Sequence, residues 1–168
     1  FVLCHSRYKF SYAYPNETQE MVFDAHARAF EFFGGLALRG IYDNMSTAVK
    51  KVLQGKLREW TGGFEQLCAH YRIEPVACNP AAGWEKGRVE RQVTVDRTRF
   101  FTPVPKVNSL AELNERLVSQ VVVYNRTHRH PTFKDKTVEA VYEEEKGHLG
   151  GLPIRFHSNR VHEVKVSS

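Results

Sequence analysis

Cysteine is scarce: the 168 residues hold three, Cys4, Cys68 and Cys78, an odd number with no CxxC spacing. That argues against a disulfide scaffold and fits a reducing cytosol, with the thiols expected as small core residues. Long hydrophobic runs are lacking too. No stretch approaches the ~20 apolar residues of a membrane helix, and the N-terminus has no charged, apolar and small-residue succession of a signal peptide. A soluble, cytoplasmic protein without a membrane partner is expected. No nucleophile elbow or oxyanion loop accompanies Cys4, His5 and Ser6, which argues against an acyl-transfer triad. His128 and His130 have no second ligand pair at a zinc spacing, and Cys68 beside His70 and Cys78 falls on an apolar stripe. Internal repeats and low-complexity tracts are absent, and the length suits one domain with the start of a second.

Charge is present in excess of one sign. Twenty-four Lys and Arg face nineteen Asp and Glu, a net charge of +5 with a pI near 9.2, which permits a polyanionic partner without proving one. The distribution is uneven. Lys86, Arg88, Arg91, Arg97 and Arg99 crowd around Glu90 and Asp96, whereas Glu143, Glu144 and Glu145 form a separate acidic run.

Along the chain, Phe1 to Tyr14 alternates with period two around a break at His5 to Arg7 and is expected to form two strands joined by a short turn. Because Phe1, Val2 and Leu3 read as a strand already under way, upstream sequence is expected to be missing. Asn16 and Gln19 resemble a capping pair for a helix with Val22, Ala25, Ala29 and Phe32 on its buried face, stopped by Gly34-Gly35. Leu36 to Tyr42 is a short, apolar strand ending in Asp43-Asn44, and its place between helices indicates an α/β layer whose strand ends face a crevice. Ser46 to Leu53 is expected as a short helix, Gln54 to Arg58 as a loop or hairpin tip, Thr61 to Tyr71 as a helix and Glu74 to Cys78 as a strand. After a turn at Asn79 to Gly83, Glu85 to Phe101 carries Val89, Val93 and Phe100 as one stripe. Ser109 and Glu112 form a capping box for a helix buried through Leu110, Leu113, Leu117, Val121 and Tyr124. A short helix near Thr137 to Lys146 and a strand-like tail from Leu152 to Val166 complete the chain.

Two carboxylates stand out. On an exposed helix Glu90 would ordinarily be half of a weak surface ion pair, and Asp43-Asn44 could simply be an Asx turn. The intervening 90 − 43 − 1 = 46 residues, however, hold enough structure for a crossover that returns to the same sheet edge. The two acids would then meet beside a cationic groove. Hard divalent ions prefer carboxylate oxygens, and a pair of such ions suits phosphoryl transfer, while Lys and Arg meet phosphates.

The stretches YDNMSTAVKKV (42–52), CNPAAGWEKGRVERQV (78–93), and RFFTP with LAELNERL (99–103, 110–117) resemble the IstA-type transposases of bacterial insertion sequences, members of the DDE transposase and retroviral integrase superfamily. The resemblance runs from FVLCHSRYKF to the Leu-Pro at 152 and 153. It implies an α/β, ribonuclease H-like core, a mixed sheet flanked by helices that here lacks its first strand, over residues 1–130. Residues 131–168 would be a linker and the start of a C-terminal domain for which a β-rich fold is one expectation. By the same resemblance Asp43 and Glu90 are the second and third metal-binding catalytic acids, holding two Mg²⁺ or Mn²⁺ ions, and Asn44, Lys86, Arg88, Arg91 and Arg97 meet DNA. His128 and His130 would close a helix end facing that DNA. The family's first Asp has no counterpart, since neither Asp24 nor Asp96 fits, so the chain alone is expected to bind metal poorly and be inactive. Implied partners are transposon-end and target DNA, further copies of the chain and an AAA+ ATPase helper, in the bacterial cytoplasm and at the nucleoid when acting. Two alternatives remain: a non-catalytic DNA-binding or assembly remnant, and a ribonuclease H-type nuclease that cuts without joining.

Overall fold

The computed structural model describes residues 1–43, 45–53, 57–78 and 98–157. Helix α1 (Gln19–Phe33) is the element around which the rest is arranged. Its first turn is capped by Thr18, whose Oγ1 accepts the Met21 N–H, and it stops at Gly34, which takes the left-handed φ of 65° that a side chain would disfavour. The capping residue is therefore Thr18 rather than Asn16. The buried face also differs from the expected one: Phe23, His26, Phe30 and Phe33, spaced by three and four residues, are buried, while Val22, Ala25 and Phe32 are only partly so. The reason is that α1 is packed on two sides. Phe23 and Phe30 join one cluster with Tyr42, Phe64, Leu67 and Tyr71, and Ala29 and Phe33 join another with Leu3, Tyr8, Phe10, Val138 and Tyr142.

Strand β1 (Arg39–Tyr42) runs parallel to β4 (Glu74–Ala77), pairing Arg39 with Glu74 and Tyr42 with Ala77. The Glu74 N–H to Leu38 and the Cys78 N–H to Tyr42, both 2.9 Å, extend the ladder. β1 is less buried than its composition suggested. Leu38 is 75% and Ile41 55% exposed, because β4 is the one strand that pairs with it among the described residues.

Between these strands lie β2 (Val49–Val52), β3 (Arg58–Trp60) and helix α2 (Gly62–Tyr71). β2 and β3 form an antiparallel hairpin where a helix was expected over Ser46 to Leu53. β-branched Val49 and Val52 suit a strand, and so short a helix would not form without packing to support it. α2 and β4 lie where the periodicity put them, with Phe64, Leu67, Cys68 and Tyr71 buried.

Residues 98–101 are helical, and Phe100 packs on Leu117 and Val121 of α3 (Leu110–Thr127). Ser109 Oγ accepts the Glu112 N–H as expected, but the Glu112 carboxylate reaches the Asn108 N–H instead of that of Ser109. Leu110 is exposed, and the buried stripe includes two asparagines, Asn114 and Asn125. These asparagines explain the N-terminal segment. Phe1 to Leu3 and Tyr8 to Phe10 do pair antiparallel around a turn with Arg7 at φ 62°. The backbone groups of Lys9 and Ala13 that do not bond Phe1 to Leu3 are met instead by Asn side chains. Asn125 Oδ1 accepts the Lys9 N–H and its Nδ2 donates to the Lys9 carbonyl (3.2 and 2.9 Å), and Asn114 does the same for Ala13 (2.7 and 3.0 Å).

Helix α4 (Val138–Glu145), capped by Thr137, buries Val138, Val141 and Tyr142. The Tyr142 hydroxyl donates to the Phe33 carbonyl (2.7 Å) and its ring stacks on Tyr8 at 3.9 Å, so α4 is bound to α1 and the N-terminal segment. Residues 152–157 form no strand but lie on α1 and α2: Arg155 bonds Asp24, and the Phe156 N–H donates to the Tyr71 hydroxyl (3.0 Å). The rest of the expected tail, 158–168, lies outside the described residues.

Candidate active site

The parallel pairing of β1 and β4 brings two chain exits to one place. β1 ends at Tyr42 and β4 ends beside it, so Asp43 and the segment after Cys78 leave the same sheet edge. Ligands of α/β sheets gather at such carboxyl ends. Tyr42 is held there by its neighbours. Its ring meets Phe64 edge-to-face at 4.9 Å, and its hydroxyl lies 3.2 Å from His26 Nε2. His26 Nδ1 is 2.7 Å from the Val22 carbonyl, so Nδ1 carries the proton and donates, and Nε2 accepts from Tyr42. Burial drives the His26 pKa down to about 4, despite the Val22 carbonyl, and burial also pushes the Tyr42 hydroxyl up. Both groups are neutral props of the strand end, not acids or bases in reach of a substrate.

Asp43 follows directly and is exposed, with its main-chain carbonyl accepting the Met45 N–H at 2.8 Å in a tight turn. An exposed carboxylate beyond a rigid strand end is the hard oxygen donor that Mg²⁺ or Mn²⁺ favours. It is one donor. Among the described residues no group of three or more His, Cys, Asp or Glu is placed to hold a metal. Asn44, Lys86, Arg88, Glu90, Arg91 and Arg97 all lie outside the described residues.

One cation at this edge escaped the sequence reading. Arg58 of β3 donates through Nη2 to the Cys78 carbonyl at 3.3 Å, tying the hairpin to the end of β4. Nothing in its local sequence announced this, because the contact depends on the hairpin folding back over the parallel pair. Asp24 is engaged elsewhere. Burial alone would raise its carboxyl, but the Tyr14 hydroxyl (2.6 Å), Arg28 (2.5 Å) and Arg155 outweigh that and hold it below the usual carboxylate range.

Two further expectations are corrected. His130 does not face a partner: it is buried, its Nε2 donating to the His5 carbonyl at 3.0 Å and its Nδ1 accepting the Thr132 and Phe133 N–H groups. His128 is exposed and stacks on Tyr124 at 4.4 Å. Cys68 and Cys78 are buried, burial pushing the Cys68 thiol up to about 11, but Cys4 is exposed rather than in the core. Among the described residues no helix is long and apolar enough to cross a membrane.

Comparison with known proteins places this arrangement. Residues 1–82 match the integrase core domain family. Over 156 residues, 93% of the chain, it is 43% identical to a transposase for insertion sequences IS1326/IS1353 from Pseudomonas aeruginosa, covering 31% of that protein. It is 52% identical over 115 residues, 68% of the chain, to a transposase from Aminobacter aminovorans, of which it covers 23%. The transposase for insertion sequence element IS21, from P. aeruginosa, is 32% identical over 142 residues, 84% of the chain and 36% of that protein. The chain thus spans about a third or less of the length of these curated relatives. Among solved structures, a chain of the simian T-cell lymphotropic virus intasome in complex with PP2A regulatory subunit B56 gamma aligns over 90% of this chain and 48% of its own, with a TM-score of 0.58 at 17% identity. At that identity the likeness speaks for the fold, a mixed α/β, ribonuclease H-like core. With a parallel strand pair ending at Asp43, an integrase core match and insertion-sequence relatives over nearly its whole length, the chain belongs to the DDE transposases of the retroviral integrase superfamily.

Proposed function

We propose that this chain is part of the catalytic core of an insertion-sequence transposase, with Asp43 and Glu90 as two of its metal-binding acids. The observation that carries the reading is the shared exit. Asp43 and the segment bearing KGRVER leave adjacent ends of β1 and β4, and Glu90 follows Cys78 by 90 − 78 = 12 residues. Twelve residues can turn back toward Asp43, and the flanking Lys86, Arg88, Arg91 and Arg97, with Asn44, supply donors for the phosphates of DNA.

The donor set suits hard divalent ions. Asp43 and Glu90 would hold Mg²⁺ or Mn²⁺, which when bound in pairs lower the pKa of an attacking oxygen and neutralise charge on the leaving one. In the reaction the reading implies, water attacks a phosphodiester at the element's end and the 3′-oxygen leaves with a proton. That 3′-hydroxyl then attacks target DNA and displaces another. The protein's work is to align the strands and exclude stray water. Copies of the chain, the DNA ends, target DNA and an AAA+ helper are the partners, in the bacterial cytoplasm. Residues 131–168 would lead toward a further domain. By themselves these 168 residues, with two of the family's three acids, would bind metal weakly and not join strands.

Strand joining is the test, run with Mg²⁺, end-sequence duplexes and the helper ATPase on a full-length transposase carrying this segment. E90Q and D43N are expected to lose at least 100-fold in joining while binding DNA within about threefold of wild type, since each removes a metal ligand and no phosphate contact. Joining that survives E90Q would sink the assignment of Glu90. A folded, DNA-bound wild type that never joins would favour the non-catalytic assembly role, and cutting without joining would favour a nuclease.

A further inference from the structure

The β2–β3 hairpin is built unlike the rest of the molecule. Its root is rigid. The Thr61 N–H donates to the Ala48 carbonyl at 2.8 Å, Gln19 Nε2 binds both the Thr47 carbonyl and Thr61 Oγ1 (3.2 and 2.8 Å), and Trp60 packs on Phe64 at 5.3 Å. Beyond the root the ribbon leaves the core. A register irregularity between Val49 and Lys51 re-aims the strand, as bulges do, and Val49 is its last buried residue. Past it Lys50, Lys51, Val52, Leu53 and Leu57 are exposed, the three aliphatic side chains by 49%, 43% and 66%.

The charge of this ribbon is one-sided. Its described residues, 49–53 and 57–60, carry Lys50, Lys51 and Arg58 against Glu59, a net of 3 − 1 = +2. Lys50 Nζ occupies Glu59 at 2.5 Å, and Lys51 is paired in register with Glu59 from the facing strand. Arg58 fastens the other strand to the Cys78 carbonyl, so the ribbon stands at the end of β4, a few residues along the chain from Asp43.

A basic antiparallel ribbon with exposed aliphatic residues toward the outer ends of its two strands has the charge and surface of a groove-entering DNA contact. Lysines meet phosphates on the groove walls, and aliphatic side chains lie against base edges or wedge between steps. We propose that the β2–β3 hairpin is a DNA-binding ribbon that holds the duplex beside Asp43, through Lys50 and Lys51 on phosphates and Val52, Leu53 and Leu57 in the groove. The proposal rests on the reading of the chain as a DNA transposase, and it adds a contact outside the KGRVER segment. An aliphatic ribbon could instead meet a second copy of the chain, but a net charge of +2 on the described ribbon residues of each partner opposes that and favours a polyanion.

The experiment is fluorescence-anisotropy titration of the 168-residue chain with a labelled 30-base-pair duplex between 50 and 200 mM NaCl. Four proteins are compared: wild type, K50A/K51A, L57D, and K134A/K146A, which removes equal charge from the region of α4. Circular dichroism and melting confirm each fold. Each phosphate contact contributes about −0.9 to the slope of log K against log salt. K50A/K51A is therefore expected to bind about tenfold more weakly with a slope shallower by about 1 to 2. L57D is expected to lose affinity as well, and K134A/K146A to stay within about twofold of wild type. Equal loss in both lysine pairs would mean bulk charge and overturn the proposal. So would unchanged binding by K50A/K51A and L57D, or L57D altering only the sedimentation-derived oligomeric state. A folded wild type that binds no duplex at any salt would overturn the transposase reading itself, and the ribbon assignment with it.

Discussion

His26 is a polar residue doing an apolar residue's job. It sits on the aromatic stripe of α1, neutral and buried, with both ring nitrogens committed to Val22 and Tyr42. Its folded pKa of about 4 lies below the ordinary 6.5, so between these values the unfolded chain binds a proton that the folded chain refuses. Stability from this group is thus fully present above about pH 6.5, falls as the pH drops through the window, and is lost below about 4. At about 1.4 kcal/mol per pKa unit the effect over the whole window is about 3.5 kcal/mol. Urea midpoints measured from pH 7 to 4.5 should show this slope in wild type and a much flatter one in H26Q, whatever the variant's stability at pH 7. Parallel slopes would show that another group controls acid unfolding. The spacing of His26 between Phe23 and Phe30 was legible in the sequence, but its burial was not, because its polar atoms are satisfied by Tyr42, sixteen residues away.

Elements that local pattern could specify came out as expected. α2 and β4 were readable from apolar spacing, and α3 from its Ser109 cap. The departures have a common cause in partners that lie outside the segment itself. Within Ser46 to Leu53, Val49–Val52 became a strand because Arg58 to Trp60 pairs with it, and the backbone groups of Lys9 and Ala13 are satisfied by asparagines of α3. Asn114 and Asn125 are 125 − 114 = 11 residues apart, three helical turns, so both amides face the segment. Removing one leaves a buried N–H and C=O unpaired. N125A should therefore cost about 2 to 4 kcal/mol, and N125D, which keeps the acceptor alone, should also destabilise. Guanidinium unfolding provides the check, and a loss below about 0.5 kcal/mol in N125A would show that water or a shift of the segment replaces the amide.

At the scale of the whole molecule, residues 154–156 act as a clasp across α1 and α2. Arg155 meets Asp24 and Glu31, His70 Nε2 donates to the Ile154 carbonyl at 2.6 Å, and the Phe156 ring meets Phe23 edge-on at 5.2 Å. The ion pair is about a third exposed on both sides, so screening limits it, and R155A should cost under about 1 kcal/mol. F156A removes ring contacts with the core cluster and should cost more, about 1 to 2 kcal/mol. Equilibrium unfolding of the two variants decides between charge and packing, and a larger loss in R155A would reverse the ranking. The clasp also joins segments remote in sequence, residues 154–156 with α1 and α2, which no window of residues could have announced.

Sequence alone nominated Asp43, at the end of a short strand, and Glu90, among cations in the chain, as candidate acids, and it determined the apolar stripe on α2 and the family likeness. Those features depend on residue type and short spacing, which periodicity records. Tertiary structure alone decided that β1 and β4 are parallel with their ends side by side, that α1 is buried on two faces, that asparagines of α3 satisfy the backbone of Lys9 and Ala13, and that a basic ribbon lies beside Asp43. Each of these depends on satisfying backbone groups or burying surface between residues far apart in the chain, and that pairing is a property of the folded molecule, not of any stretch of it.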